Sequence, residues 1–188
     1  MVGNLSNYHK LDVVRMLFSL TEIKSRSQLV ESLEIGEGTI RTLLTMLKDK
    51  KLIESTSGGH ILSKKGFSVL FSLQKMFLTP KKVKLDAFYP DMVKVAVLVK
   101  NVGEVSYVTL RDVAVKNGTE GALIFRYDKG LELPGHKGNF PSLEEEFDFS
   151  EGDLLIVSFS SSLRWAEIGS LAVVEKIVPQ LMSFVSDF

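Results

Sequence analysis

The chain has 188 residues, 45% hydrophobic and 24% charged with no cysteine, a balance that suits one globular domain or two small ones and excludes a disulfide framework, a thiolate zinc site and a cysteine nucleophile. The formal net charge is zero but unevenly placed: residues 1–80 hold 11 Lys and Arg against 7 Asp and Glu, and residues 81–188 hold 12 against 16. A basic first half joined to an acidic second half is the asymmetry expected when one domain meets phosphate and the other does not. No run of about eighteen apolar residues occurs, so no membrane span is expected. Asp12 and Arg15 interrupt the apolar stretch near the start, which argues against a signal peptide and for a cytoplasmic protein.

In chain order, Leu11, Val14, Leu17 and Phe18 predict a helix from about Asn7 to Leu20. Ile23-Lys24 reads as a short strand. Ser25 with Gln28 three residues on is a capping-box pattern that opens a helix over Arg26–Leu33. The turn Glu34–Gly38 leads to a third helix, in which Ile40, Leu43, Leu44 and Leu47 form one apolar stripe. Its other side carries Thr39, Arg41, Thr42, Thr45 and Lys48: hydroxyls and cations, with no acid among them. Such a surface suits a groove walled by phosphates. Leu52–Ser55 and His60–Leu62 then read as a hairpin around Ser57-Gly58-Gly59, where glycine supplies the positive φ of a tight turn. Ser63 caps a helix predicted over Lys64–Leu78 that is apolar on two sides. A partner subunit or the second domain must cover one of these sides: Leu73 and Met76 are the expected contacts of a homodimer, and the alternative is that both sides pack inside one chain.

The ordered set Gly38-Thr39-Ile40-Arg41-Thr42-Leu43-Leu44 through Leu47, Leu52-Ile53-Glu54, Gly59-His60 and Leu62-Ser63-Lys64-Lys65-Gly66 resembles the winged-helix transcriptional regulators of prokaryotes, notably archaea. The resemblance spans residues 1 to about 78. It implies contact with double-stranded DNA for Thr39, Arg41, Thr42 and Thr45 and for the wing, Gly58, Gly59 and His60, with Lys48 beside them. The chain also resembles two-domain archaeal predicted regulators whose second domain has no assigned function.

Thr79–Lys82 reads as a linker between a first domain, 1–79, and a second, 83–188. Met92–Val99 predicts a central strand, Ser106–Asn117 a helix closed by Gly118, Ala122–Tyr127 a strand, and Asp128-Lys129-Gly130 a hairpin turn into Leu131–Leu133. Pro134–Glu151 is a long connection, Leu154–Phe159 a strand, and Leu163–Val178 a final helix. The expected class is α+β: a winged helix-turn-helix followed by a mixed-sheet α/β sandwich with its helices on one face.

No catalytic constellation is visible. His9, His60 and His136 lack metal-ligand spacing, no Gly-x-Ser-x-Gly elbow occurs, and Glu144–Glu146 with Asp148 read as a solvated acidic cluster. No metal, no cofactor and no enzyme activity is therefore expected. Arg111, Arg126, His136 and Lys137 form a cationic set within the acidic half, suited to a small anionic effector. The competing reading is that these are surface ion pairs of little energy. Together the features point to a homodimeric DNA-binding regulator with an effector-sensing or dimerising second domain. The alternatives are a winged helix used for protein contact and an enzyme in the second domain.

Overall fold

A computed structural model describes residues 8–188, so the expected helix start at Asn7 lies outside the described residues. The chain divides into two units: one runs to Ser72 and includes 183–188, the other is Leu73–Met182.

In the first unit, helix α1 (Asp12–Ser19) buries Val13, Val14, Met16 and Leu17 completely. Asp12 and Arg15, which break the apolar pattern of the sequence, are buried too. They form an ion pair at 2.9 Å with side chains 0% and 1% exposed, and Asp12 also accepts from the His9 amide. Helix α2 (Arg26–Leu33) has its capping box: Ser25 Oγ accepts from the Gln28 amide and Gln28 Oε1 from the Ser25 amide. Glu34, in left-handed geometry, ends it. Helix α3 (Glu37–Asp49) begins two residues before the expected position, with Gly36 at its N-cap.

Strands β1 (Ile53–Thr56) and β2 (Gly59–Leu62) pair antiparallel, Ile53 opposite Leu62 and Thr56 opposite Gly59. Lys24 bridges His60 from the other side through both backbone bonds, at 3.0 and 2.9 Å. Gly59 permits this approach: at φ +142°, a Cβ there would lie 2.3 Å from the Lys24 carbonyl oxygen. Ser63 Oγ accepts from the Gly66 amide and so caps α4 (Lys64–Gln74). A Cβ on Gly66 would lie 2.0 Å from the Leu52 carbonyl oxygen, which is bonded to the Ser63 amide. The Leu-Ser-x-x-Gly spacing is thus a packing requirement: serine caps, and glycine lets the hairpin backbone lie against the first turn.

Helix α4 stops at Gln74, not near Leu78. The chain turns extended because Phe77 bridges Val99 and the Leu78 amide donates to the Leu98 carbonyl. The expected linker is likewise structured. Lys81–Lys82 form β3, which pairs with β4 (Val93–Val99) opposite Ala96 and Val95. Hence the division between units falls inside α4, not at Thr79–Pro80.

The second unit continues with α5 (Tyr107–Lys116), β5 (Gly121–Tyr127), β6 (Leu131–Glu132), α6 (Pro141–Glu144), β7 (Leu154–Ser160), α7 (Leu163–Ile177) and the start of α8 (Pro179–Val185). The sheet order is β3-β4-β7-β5-β6, and every pairing is antiparallel. The class is α+β, but the sheet is not mixed. A strand–helix–strand run such as β4-α5-β5 predicts parallel neighbours. Those two strands do point the same way, but β7 inserts between them in the opposite sense.

Side chains alternate across the sheet. On the side of Val95 and Ser158 lies α7: Ser170 Oγ donates to the Val95 carbonyl at 3.1 Å, and Gly169 leaves room for Thr119 and Ser158. On the other side Ala96, Leu98, Phe125, Leu155 and Val157 pack with Leu85, Phe140, Leu143 and Phe147. The connection 134–151 is therefore no loose loop. Its aromatic residues cover one face of the sheet. Among the described residues, no single helix is long and apolar enough to cross a membrane.

Candidate nucleic-acid interface

Helix α3 sorts its residues by the 3.6-residue period. Ile40, Leu43, Leu44 and Leu47 are buried, while Arg41, Thr42, Thr45 and Lys48 are exposed and Thr39 is half-buried. Thr42 and Thr45 donate their hydroxyl protons to the carbonyls of Gly38 (3.2 Å) and Arg41 (3.0 Å). Outward they present a methyl group and acceptor lone pairs, which suit a thymine methyl or a base amine better than a phosphate. One expectation is corrected. Because the helix starts at Glu37, that acid lies a turn before Arg41 on the same face, and its carboxylate contacts the guanidinium at 3.3 Å. Both side chains are about two-thirds exposed (67% and 64%). An ion pair so solvated is weak and readily exchanged for a stronger anion.

Beside this face lies β2. His60 Nδ1 is 3.1 Å from Ser55 Oγ. Partial burial holds the imidazole below its usual pKa, and the nearby charges of Lys48 and Arg26 push the same way. Lys48 from α3 and Arg26 from the start of α2 thus both act on one strand residue. Arg26 reads in the sequence only as a helix start, and nothing in its spacing announces that α2 brings it toward the hairpin. Gly59 is accounted for by the Lys24 bridge, whereas Ser57 and Gly58 form the exposed hairpin tip.

The cationic set of the second unit does not converge. Arg126 donates from Nε to Tyr107 Oη (3.0 Å), from Nη1 to the carbonyls of Val102 (3.0 Å) and Gly152 (3.4 Å), and from Nη2 to that of Gly103 (2.7 Å). It is a latch between β5 and two turns. Arg111 lines one cavity, with Val105–Val108, Ala122–Ile124, Leu133 and Pro134; His136 lines another, with Asp128–Pro134 and Glu144; Arg126 and Lys137 line neither. His136 instead packs its ring against Phe88 and Phe140. Leu73 is only 2% exposed within the single chain, so it is not a free contact residue, and Met76 is half-buried. The exposed apolar residues of α4 are Phe67 and Phe71.

A buried acid escapes the sequence reading as well. Asp153 accepts from the amides of Asn101 and Ser150 and from Lys100 Nζ, all within 3.1 Å. Two of its partners lie 52 and 53 residues earlier in the chain and only Ser150 is local, so folding assembles them. Among the described residues, no group of three or more His, Asp or Glu side chains is placed to hold a metal ion. Glu144 bonds the Leu131 amide and Glu146 pairs with Lys81, which breaks up the acidic cluster.

Residues 11–68 match the family model described as PH0730-like, N-terminal domain, and residues 91–177 match a domain of unknown function, DUF4443. Among solved structures, the chain is similar to a hypothetical protein, PH0730, from the archaeon Pyrococcus horikoshii OT3: 29% identity, a TM-score of 0.80, 94% of this chain and 99% of that one. Both parts of the fold thus recur together in that relative. S. agalactiae BusR in complex with its busAB-promotor DNA matches at 15% identity over 92% of this chain and 95% of that chain, and its TM-score of 0.25 is too low to bear on fold or function. No curated protein matches the chain.

Proposed function

We propose that this chain is a cytoplasmic, homodimeric transcriptional regulator of the winged helix-turn-helix type. Helix α3 enters the major groove of double-stranded DNA and the β1–β2 hairpin serves as the wing. The observation that carries the reading is the outward face of α3. Arg41, Thr42, Thr45 and Lys48 stand exposed opposite a fully buried apolar stripe, with Arg26 and His60 beside Lys48. Arg41 is the candidate for a bidentate guanine contact, releasing Glu37 as it docks. Lys48 and Arg26 meet phosphate, and Thr42 and Thr45 read methyl or amine groups. The second unit acts as a dimerisation module. Its four dispersed cationic residues make no common anion site, and the reading assigns the chain no catalytic step.

Selection of bound duplexes from a random pool, followed by variants, is the test. Arg41→Ala is expected to weaken the selected site by about 1–3 kcal/mol and to relax one base position. Lys48→Ala is expected to lower the salt slope by about one while leaving the preferred sequence unchanged. No selected sequence, together with binding indifferent to salt, would favour a winged helix used for protein contact.

A further inference from the structure

Strand β6 leaves β5 early. Its two residues pair with Arg126 and Tyr127. Continued in the same register, it would set Leu133 opposite Phe125 and Pro134 opposite Ile124. Proline has no N–H with which to extend the ladder, and the chain turns there: the His136 amide donates to the Leu133 carbonyl. A groove of about 530 Å³ opens in place of the missing pairs. Ala122, Leu123 and Ile124 form its floor, Leu133 and Pro134 one wall, and Val105 with the start of α5 the other. Ala122 and Ile124 are 3% and 4% exposed, so the floor belongs to the fold and is too deep to pair with another strand.

The α5 wall is held in place. Arg126 donates to the carbonyls of Val102 and Gly103 in the turn before the helix, and to Tyr107 Oη at its start. Tyr107, Val108 and Arg111 then fall on one side of the helix, Arg111 three and four residues after the other two, and all three line the groove. Val108 is 62% exposed, apolar surface left to water at the rim. Arg111 is the one charged residue of the lining, which includes no acid. Its ion-pair partner is Asp112, at 4.0 Å, with both side chains more than half exposed. A pair so long and so solvated is readily exchanged for another carboxylate.

We propose that this groove binds a small organic acid with an apolar body. The carboxylate meets Arg111 at the rim, and the hydrocarbon lies over β5 between Val108 and Leu133-Pro134. Three features support this occupant. The volume falls in the range of about 300–1,000 Å³ usual for small-molecule sites, which are likewise mainly apolar with a few polar groups to orient the ligand. One guanidinium without an opposing acid selects an anion, and its planar fork fits a carboxylate. A wall already fixed by Arg126 spares the ligand the cost of ordering it. The site needs Arg111 alone, so the dispersal of Arg126, His136 and Lys137 does not bear on it. The inference rests on the second unit and stands whether or not α3 binds DNA.

The experiment follows the amide chemical shifts of the full chain by NMR during titration with octanoate, phenylbutyrate and indole acetate, each beside the matching alcohol. At least one acid is expected to shift Val105–Val108 and Ala122–Ile124 saturably. It should bind about tenfold more tightly than its alcohol, the share of one charge-assisted contact. Arg111→Gln is expected to remove that advantage and to leave the affinity for the alcohol unchanged. Val108→Asp, which puts a carboxylate on the same rim, is expected to weaken the acid more than the alcohol. If circular dichroism shows that one variant does not fold, the other decides. No saturable shift from any of the acids overturns the proposal. So do shifts confined to other surfaces, equal affinity for acid and alcohol, or an acid whose advantage survives in Arg111→Gln.

Discussion

Arg126 fastens β5 to the turns at 102–103 and 152 through three carbonyls, and to α5 through Tyr107. Removing a guanidinium so engaged strands several half-buried acceptors. Arg126→Ala is therefore expected to lower stability by about 1–3 kcal/mol, read from the urea midpoint at constant slope. A residue acting only in ligand capture would leave that midpoint in place. His60 makes a pH-dependent prediction. Its pKa in the folded chain is depressed by burial first and by Lys48 and Arg26 second. The unfolded imidazole, near 6.5, takes up its proton before the folded one. Stability is thus complete above that value and declines as pH falls through it toward the folded pKa. The difference in urea midpoint between the native chain and His60→Gln should change across this window and flatten above it. Binding of a phosphate backbone beside Lys48 and Arg26 would cancel their charge, so the His60 pKa is expected to rise when DNA is added. An NMR titration of the imidazole, unmoved by DNA, would place the duplex elsewhere.

At the scale of elements, the junction of hairpin and α4 is the most constrained place in the first unit. Gly66 sits against the Leu52 carbonyl closely enough that a methyl group must displace backbone. Gly66→Ala is expected to cost about 1–3 kcal/mol through overpacking, although alanine alone favours a helix. Thermal melting would show it, and a more stable variant would mean that the helix start can shift freely. This junction was legible as a motif before its reason was. Leu62-Ser63-Lys64-Lys65-Gly66 marks the end of a strand, a cap and a glycine, but the backbone that the glycine approaches belongs to Leu52, fourteen positions earlier. The capping box at Ser25, the buried stripe of α3 and the hairpin were equally legible, because each depends on neighbours within a turn or two.

For the whole molecule, the basic first half and acidic second half set an electrostatic expectation for binding. Each phosphate neutralised contributes about −0.9 to the slope of log affinity against log salt. A dimer that engages two half-sites is expected to show about twice the slope of a single copy on one half-site. In its footprint, protected half-sites should be spaced by about 34 Å, one helical turn, or a multiple. Equal slopes for dimer and monomer would mean that one copy alone meets the duplex.

Sequence alone determined the features whose cause is local. These are the periodic stripes of α1, α2 and α3, the turn glycines, the caps, and the near-continuous apolar run of β4 that marks a strand buried on both faces, although the central place in the sheet went to β7. The order of strands was decided only in three dimensions. Nothing in residues 93–127 announces that β7, some thirty residues later, separates β4 from β5 and turns an expected parallel pairing into two antiparallel ones. Charges were hidden for the same reason. Asp12 with Arg15, Arg126 and Asp153 look like solvated residues in the chain, yet each is engaged in the fold. Burial of a charge depends on partners brought from elsewhere, and hydrophobic periodicity carries no information about those. The aromatic residues of 140–149 looked like part of a loop because their spacing follows neither helix nor strand; only the uncovered face of the sheet gives them a place to pack.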